Sequence, residues 1–330
     1  MWEVFIALDF LGTPAWMWLA FLGIVMAALS FDLGVLHRED KIIGVRDSLL
    51  LSSGYITVAV IFGGWVWWHL GAQSGMEYYT AFLIEKSLSM DNIFVIALIF
   101  SYFAIPQQYQ HRVLFWGILG VIVLRAIMIG LGVMLVTRFG WILYFFGAFL
   151  FFTGVKMWMI ADHEPDISQN GILSFLKRHL PVTDGLRGNA FWVRESDPAS
   201  GKVVHFATPL LLALVLVECV DILFAVDSVP AIFAITTDPF IVYTSNIFAI
   251  LGLRALYFAL AAMMHRFQYL KYALAMVLIF IGTKIFLVGI IGKTPPALSL
   301  SVTLGLIVGG VVYSMWKTRT KHVMTLPVTP

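Results

Sequence analysis

Apolar residues run through this chain in blocks of about twenty, separated by short polar stretches, and they do not alternate within a block. As a helix, such a block is long enough to cross the roughly 30 Å hydrocarbon core of a bilayer. The pattern predicts segments at 14–36, 47–70, 77–104, 111–136, 141–161, 207–237, 240–263, 270–291 and 297–317. In lipid the backbone must satisfy its own hydrogen bonds, so each segment is expected to be helical. A barrel would need alternating segments of about ten residues. The expected fold class is therefore all-α: a polytopic membrane protein with about nine transmembrane helices.

Composition agrees with the pattern. Of 330 residues, 60% are hydrophobic and 12% charged, which excludes an ordinary soluble domain. The net charge is only +2 and no basic stripe invites nucleic acid. The single cysteine, Cys219, excludes a disulfide or a cysteine metal cluster within one chain. Glu3, Asp9 and Asp32 precede the first strong base, Arg38, so the N-terminal segment reads as retained rather than as a cleaved signal. Bases collect in alternate loops: Arg38, Lys41 and Arg46, then Arg112, then Lys177 to Lys202, then Arg266 and Lys271, then Lys317 to Lys321. Positive-inside logic puts the N-terminus outside and the C-terminus in the cytoplasm.

Charge changes the picture most inside two blocks. Glu85-Lys86-Ser87-Leu88-Ser89-Met90-Asp91-Asn92 lies in one, and Glu218 to Ser228, with Asp221 and Asp227, in the other. A charge at the bilayer centre costs roughly 2.5–3.5 kcal/mol on insertion scales, so five carboxylates left alone would cost more than about 10 kcal/mol. They need internal partners or a bound cation.

The two stretches look like copies. Glu85 precedes Asp91 by the spacing at which Asp221 precedes Asp227, and Asn92 and Ser228 follow. An arginine comes next in each half, Arg125 and Arg254, and then a lysine, in Gly154-Val155-Lys156 and Gly282-Thr283-Lys284. The order repeats over 77–161 and 207–291, and the predicted topology makes the second unit upside down. Two inverted three-helix repeats would place a site at the midplane between them. The remainder divides into a cytoplasmic connector, 162–206, with a short amphipathic helix near Ile172 to Leu180, and accessory spans at 14–36, 47–70 and 297–317.

Two readings of the charges compete. Arg125, Arg254, Lys86, Lys156 and Lys284 could neutralise the acids, a purely structural pairing. Alternatively Glu85, Asp91, Asn92, Glu218, Asp221 and Asp227 hold a cation while the bases pair or gate them. Oxygen ligands suit Mn²⁺, Mg²⁺ or Ca²⁺. Pro230 lacks an N–H and its ring crowds the carbonyl of Val226, so a kink is expected beside Asp227. On a regular helix, residues six apart are turned by about 240°, which points Asp221 and Asp227 at different neighbours unless the kink unites them.

Glu85 to Val95, Glu218 to Pro230, and Ile232 through Arg254 resemble the TerC family of integral membrane proteins, most closely its Alx branch, over nearly the whole chain. The resemblance implies a bacterial inner-membrane protein associated with tellurium resistance and manganese export. It puts the acidic motifs on Asp91, Asp221 and Asp227, beside Glu85, Asn92 and Glu218. Mn²⁺ would be the substrate rather than a resident cofactor, with membrane lipid around the protein and protons as a counter-ion. Alternative roles are a membrane-bound redox modulator, the older label for Alx-type members, and an accessory protein for metal loading or assembly of exported proteins. No nucleotide-binding loop of the G-x-x-x-x-G-K-[ST] kind is present, and enzymatic activity is not expected.

Overall fold

The computed structural model describes residues 9–36, 44–159, 171–196, 203–261, 269–291 and 295–324; the side chains of Asp9, 32–36, Asp91, Arg254, 288–291 and 319–324 lie outside the described set. A two-residue hairpin, β1 (Asp9–Phe10) with β2 (Thr13–Pro14), leads into α1 (Ala15–Leu36). Then come α2 (Val45–Tyr102), α3 (Gln107–Arg138), α4 (Ile142–Met159), α5 (Gly171–His179), β3 (Trp192–Ser196) and β4 (Val203–Ala207). The second half is α6 (Pro209–Phe233), α7 (Pro239–Leu251), α8 (Leu253–Ala261), α9 (Leu270–Ile291) and α10 (Pro296–Met324). Among the described residues, six helices are long and apolar enough to cross a membrane, and the bent pair α7–α8 makes a seventh.

That count takes α2 once, although α2 holds two of the predicted segments. Its helical course is broken at Gly71, where φ is 91° and ψ 172°. The chain doubles back there. Tyr78 Oη donates to the Ala59 carbonyl at 3.1 Å and Tyr79 Oη to the Val60 carbonyl at 2.8 Å. Residues nineteen apart on an unbroken helix would stand about 28 Å apart. A Cβ on Gly63 would meet the rings of Tyr78 and Tyr79, and one on Gly75 would meet Trp67, so glycine is what lets the two limbs close.

Pro230 does not unwind its helix. The helix α6 runs through it to Phe233, and the Ala234 N–H donates back to the Pro230 carbonyl at 3.0 Å. Pro230 stands one turn from the end of α6, so its missing N–H forfeits only the bond to Val226 and leaves little helix beyond to be redirected. The break falls in the next segment, where α7 and α8 are bent by 53° around Gly252.

The second limb of α2, together with α3, α6 and α7, forms the centre. Against it α4 and α9 pack backbone to backbone: a Cβ on Gly282 would meet the Gly147 carbonyl at 2.7 Å, and one on Gly154 the Ala275 carbonyl at 2.8 Å. Aromatic edges seat α1 on α7, with Trp18 on Phe240 and Phe21 on Phe248. The connector holds the helix expected near Ile172 and, unexpectedly, an antiparallel hairpin of β3 and β4. Phe191 leads into β3, which begins at Trp192. Arg187 Nε donates to Glu195 Oε1 at 2.5 Å and holds that carboxyl below its ordinary range.

Gly71 occupies a region of backbone space that is almost exclusive to glycine, and a side chain there costs of order 1–3 kcal/mol. Gly71→Ala is expected to lower the melting temperature of the purified protein in detergent. Gly54→Ala, mid-helix with open space around its Cβ position, should be neutral or stabilising. Equal melting of Gly71→Ala and wild type would contradict the reversal.

Candidate cation site

Helical spacing decides which polar side chains meet. Residues seven apart return to the same face. On α2 that face carries Glu85, Ser89 and Asn92; on α6 it carries Asp221, Ala225 and Ser228. The two stripes face each other, with Arg125 of α3 and Asn246 of α7 closing the gap. Arg125 is 2% exposed and Glu85 1%. Arg125 Nη1 lies 2.6 Å from Glu85 Oε1, 2.8 Å from Ser228 Oγ and 3.1 Å from Asn246 Oδ1. Asn92 Nδ2 donates to Asp221 Oδ1 at 3.1 Å. One guanidinium thus ties α2, α6 and α7 to α3, and one amide ties α2 to α6 again.

Glu218 lies one turn before Asp221 and close enough to interact with it electrostatically. Its carboxylate packs onto the backbone of α3 at Gly120, where any Cβ would collide with it. Beside Asp221 is a cavity of about 20 Å³, walled by Gly117, Val121, Val217, Ile250 and Tyr257, with room for about one water molecule. Several buried polar atoms of the cluster have no partner among the described residues: Glu85 Oε2, Ser89 Oγ, Asn92 Oδ1, Glu218 Oε2, Asn246 Nδ2 and Arg125 Nε. Four of these are oxygens. With all three carboxylates ionised, Glu85, Asp221 and Glu218 outweigh Arg125 by two charges. Among the described residues no three His, Cys, Asp or Glu side chains already form a closed metal site.

The other predicted residues go elsewhere. Asp227 accepts a hydrogen bond from Thr153 and lies within electrostatic range of Lys156, both on α4. Asp221 and Asp227 therefore do face different neighbours. Among the described residues Lys86 forms no ion pair with an acid of the cluster. Its Nζ donates to the Ala249 carbonyl at 3.1 Å and lies beside Gly252. A cation there satisfies the carbonyl end of α7 at its break. Ser87 bonds back to the Leu83 carbonyl. Lys284 lines a separate cavity of about 810 Å³ with Gln73, Glu77 and Asp238. Asp91 and Arg254 fall outside the described side chains. Asn246 was missed by sequence reasoning; the Thr244-Ser245-Asn246 run inside an apolar segment was its signal.

Fold and cluster define a multi-pass membrane protein with a charged, closely packed polar centre. The chain belongs to the "Integral membrane protein TerC family", whose sequence profile matches residues 70–322. It is 48% identical over 308 residues to an uncharacterized membrane protein of Myxococcus xanthus, covering 93% of this chain and 94% of that one. It is 47% identical over 298 residues to an uncharacterized membrane protein of Rickettsia bellii, covering 90% and 96%. It is 44% identical over 314 residues to a Salmonella typhi protein named "Putative membrane-bound redox modulator Alx", covering 92% and 95%. No solved structure matches the chain.

Removing one partner of a buried ion pair costs roughly 3–5 kcal/mol, whereas removing both costs less than the sum. Glu85→Gln and Arg125→Met should each lower the melting temperature sharply, and the double variant should recover part of the loss. Additive losses in thermal unfolding would show that the two groups are not coupled.

Proposed function

We propose that this protein is a transporter of the bacterial inner membrane that exports a divalent cation, Mn²⁺, from the cytoplasm by alternating access. The observation that carries the reading is the set of buried oxygens without partners at Glu85, Ser89, Asn92 and Glu218. A buried acceptor left unmet costs about 1–3 kcal/mol, and such groups in native proteins mark strain, function or an absent ion. Oxygen donors in a cluster of three carboxylates to one guanidinium suit a hard divalent ion. Glu85, Asn92, Glu218 and Asp221 would ligate it; Asp91 and Asp227 would extend its path. In the metal-free protein Arg125 serves as the resident counter-cation of Glu85.

Alternating access is supported by the reciprocity of contacts between the two proposed repeats. Glu85, Ser89 and Asn92 recur as Asp221, Ala225 and Ser228. Asn92 bonds Asp221, and its counterpart pair, Ser228 and Glu85, is bridged by Arg125. On α4 and α9, Gly154 meets Ala275, and Gly282 meets Gly147, which is the same contact read in reverse under the offset that relates Lys156 to Lys284. Such reciprocity is what a twofold axis between inverted units would produce. With α1 and both limbs of α2 crossing, the count becomes nine, with the N-terminus outside and the C-terminus in the cytoplasm.

The 810 Å³ cavity with Glu77 and Asp238 is the proposed outer vestibule. Asp238 caps α7, and Asn246 lies about 12 Å further along that helix. Phe233, packed on Gly132, lies in the apolar layer below the vestibule. A transport cycle would have to part that layer, and protons taken up by the emptied carboxylates are the natural counter-ion.

The redox reading rests on the name of the Salmonella typhi relative, and a visible absorption spectrum of a bound electron carrier in the purified protein would favour it. The assembly or metal-loading role would use the α5 and β3–β4 connector as its contact surface.

In proteoliposomes loaded with a fluorescent Mn²⁺ indicator, wild type should admit Mn²⁺ faster than Mg²⁺ or Ca²⁺. Asp221→Asn should cut the rate at least tenfold at equal protein incorporation. Wild-type flux in Asp221→Asn would overturn the reading.

A further inference from the structure

A third cavity, of about 430 Å³, lies on the flank of α9 and α10, apart from both the polar cluster and the vestibule. Its two ends differ in chemistry. At one end Lys317 Nζ sits 4.6 Å from the Tyr269 ring centre and 5.3 Å from that of Tyr313, and donates to Tyr313 Oη at 2.9 Å. Trp158 and Tyr272 stand edge to face beside them. At the other end the wall is bare. Among the described residues, Gly305 and Gly309, one turn apart on α10, have no heavy atom from another element within 4 Å of a Cβ position, whereas Gly310 is closed by Ala273.

The trough therefore runs from a cation set among aromatic rings to an apolar floor at Gly305, Leu306 and Met276. Gly305 to Lys317 spans twelve residues of helix, about 18 Å. That is close to the depth of one leaflet, half of a hydrocarbon core of about 30 Å. Tyrosine, tryptophan and lysine at one end match the chemistry of a membrane interface. Among the described residues no carboxylate lies within ion-pair distance of Lys317. Loop charge puts this end at the cytoplasmic face, where anionic lipid attracts basic groups.

We propose that this trough is a binding site for an anionic glycerophospholipid, its phosphate at Lys317 and the Tyr313 hydroxyl and one acyl chain along the glycine face of α10. A helix from a second copy would fill the apolar floor but would bring no counter-charge to Lys317.

The test is native mass spectrometry of the full-length protein, titrated in detergent with phosphatidylglycerol or with phosphatidylcholine of identical chains. Wild type should retain phosphatidylglycerol preferentially. Lys317→Gln should weaken that retention about fivefold, the effect of one basic group near an anionic membrane surface, and leave phosphatidylcholine retention unchanged. Gly309→Leu, which fills the floor, should reduce retention of both lipids while the protein keeps its elution volume and helical circular dichroism. Equal retention of the two lipids by wild type would overturn the proposal, as would phosphatidylglycerol retention indifferent to Lys317→Gln. A dimer mass lost in Gly309→Leu would assign the trough to a second copy instead.

Discussion

A guanidinium cannot be left unpaired in hydrocarbon, and Arg125, 2% exposed, is the largest fully buried side chain among the described residues. Its position constrains the centre of the molecule. It must meet Glu85, and it recruits Ser228 from α6 and Asn246 from α7, so four helices are fixed around one charge. The pair is a poor source of net stability, because desolvating two ions offsets most of their attraction. What it supplies is register: of the ways to slide or rotate α2 against α6, only those that keep Glu85 and Ser228 on Arg125 avoid a stranded charge.

The rest of the fold makes that approach possible. Glycine removes side chains where backbones or charged groups must come close: Gly120 under Glu218, Gly147 and Gly282 between α4 and α9, Gly63 and Gly75 between the limbs of α2. Lys86, next to Glu85 but on another face, stabilises the open end of α7 at its bend. Neighbouring residues of opposite charge thus do unrelated work, one in the cluster and one in holding a broken helix. A broken helix with a cation at its carbonyl end, beside a cluster of carboxylates, is the kind of element that can take two positions.

Much of this was legible in the sequence, and the reasons for the failures are physical. Segment positions followed from hydropathy because lipid dictates length. Glu85, Asn92, Asp221 and Arg125 were picked out because charge in lipid is expensive. The repeat of six, Glu85 to Asp91 and Asp221 to Asp227, marks the two copies, but a helix returns to the same face after seven, and Glu85 with Asn92 and Asp221 with Ser228 are the stripes that meet. Pro230 leaves α6 unbroken because only one turn of helix follows it. Gly252, with nothing in its sequence to distinguish it from other glycines, marks the actual bend. The β3–β4 hairpin was invisible because five-residue strands in a polar connector carry too short a pattern.

We propose that the unpartnered oxygens around Arg125 bind a divalent cation. Electron paramagnetic resonance tests it without transport or lipid composition entering: free aqueous Mn²⁺ gives a six-line signal that loses amplitude on binding. Titrated into purified protein, the signal should be suppressed until about one ion per chain is bound, and Asp221→Asn should weaken that binding at least tenfold while the protein melts as a folded species. Undiminished Mn²⁺ signal with wild type, or identical titrations for wild type and Asp221→Asn, would show that the cluster holds no such ion.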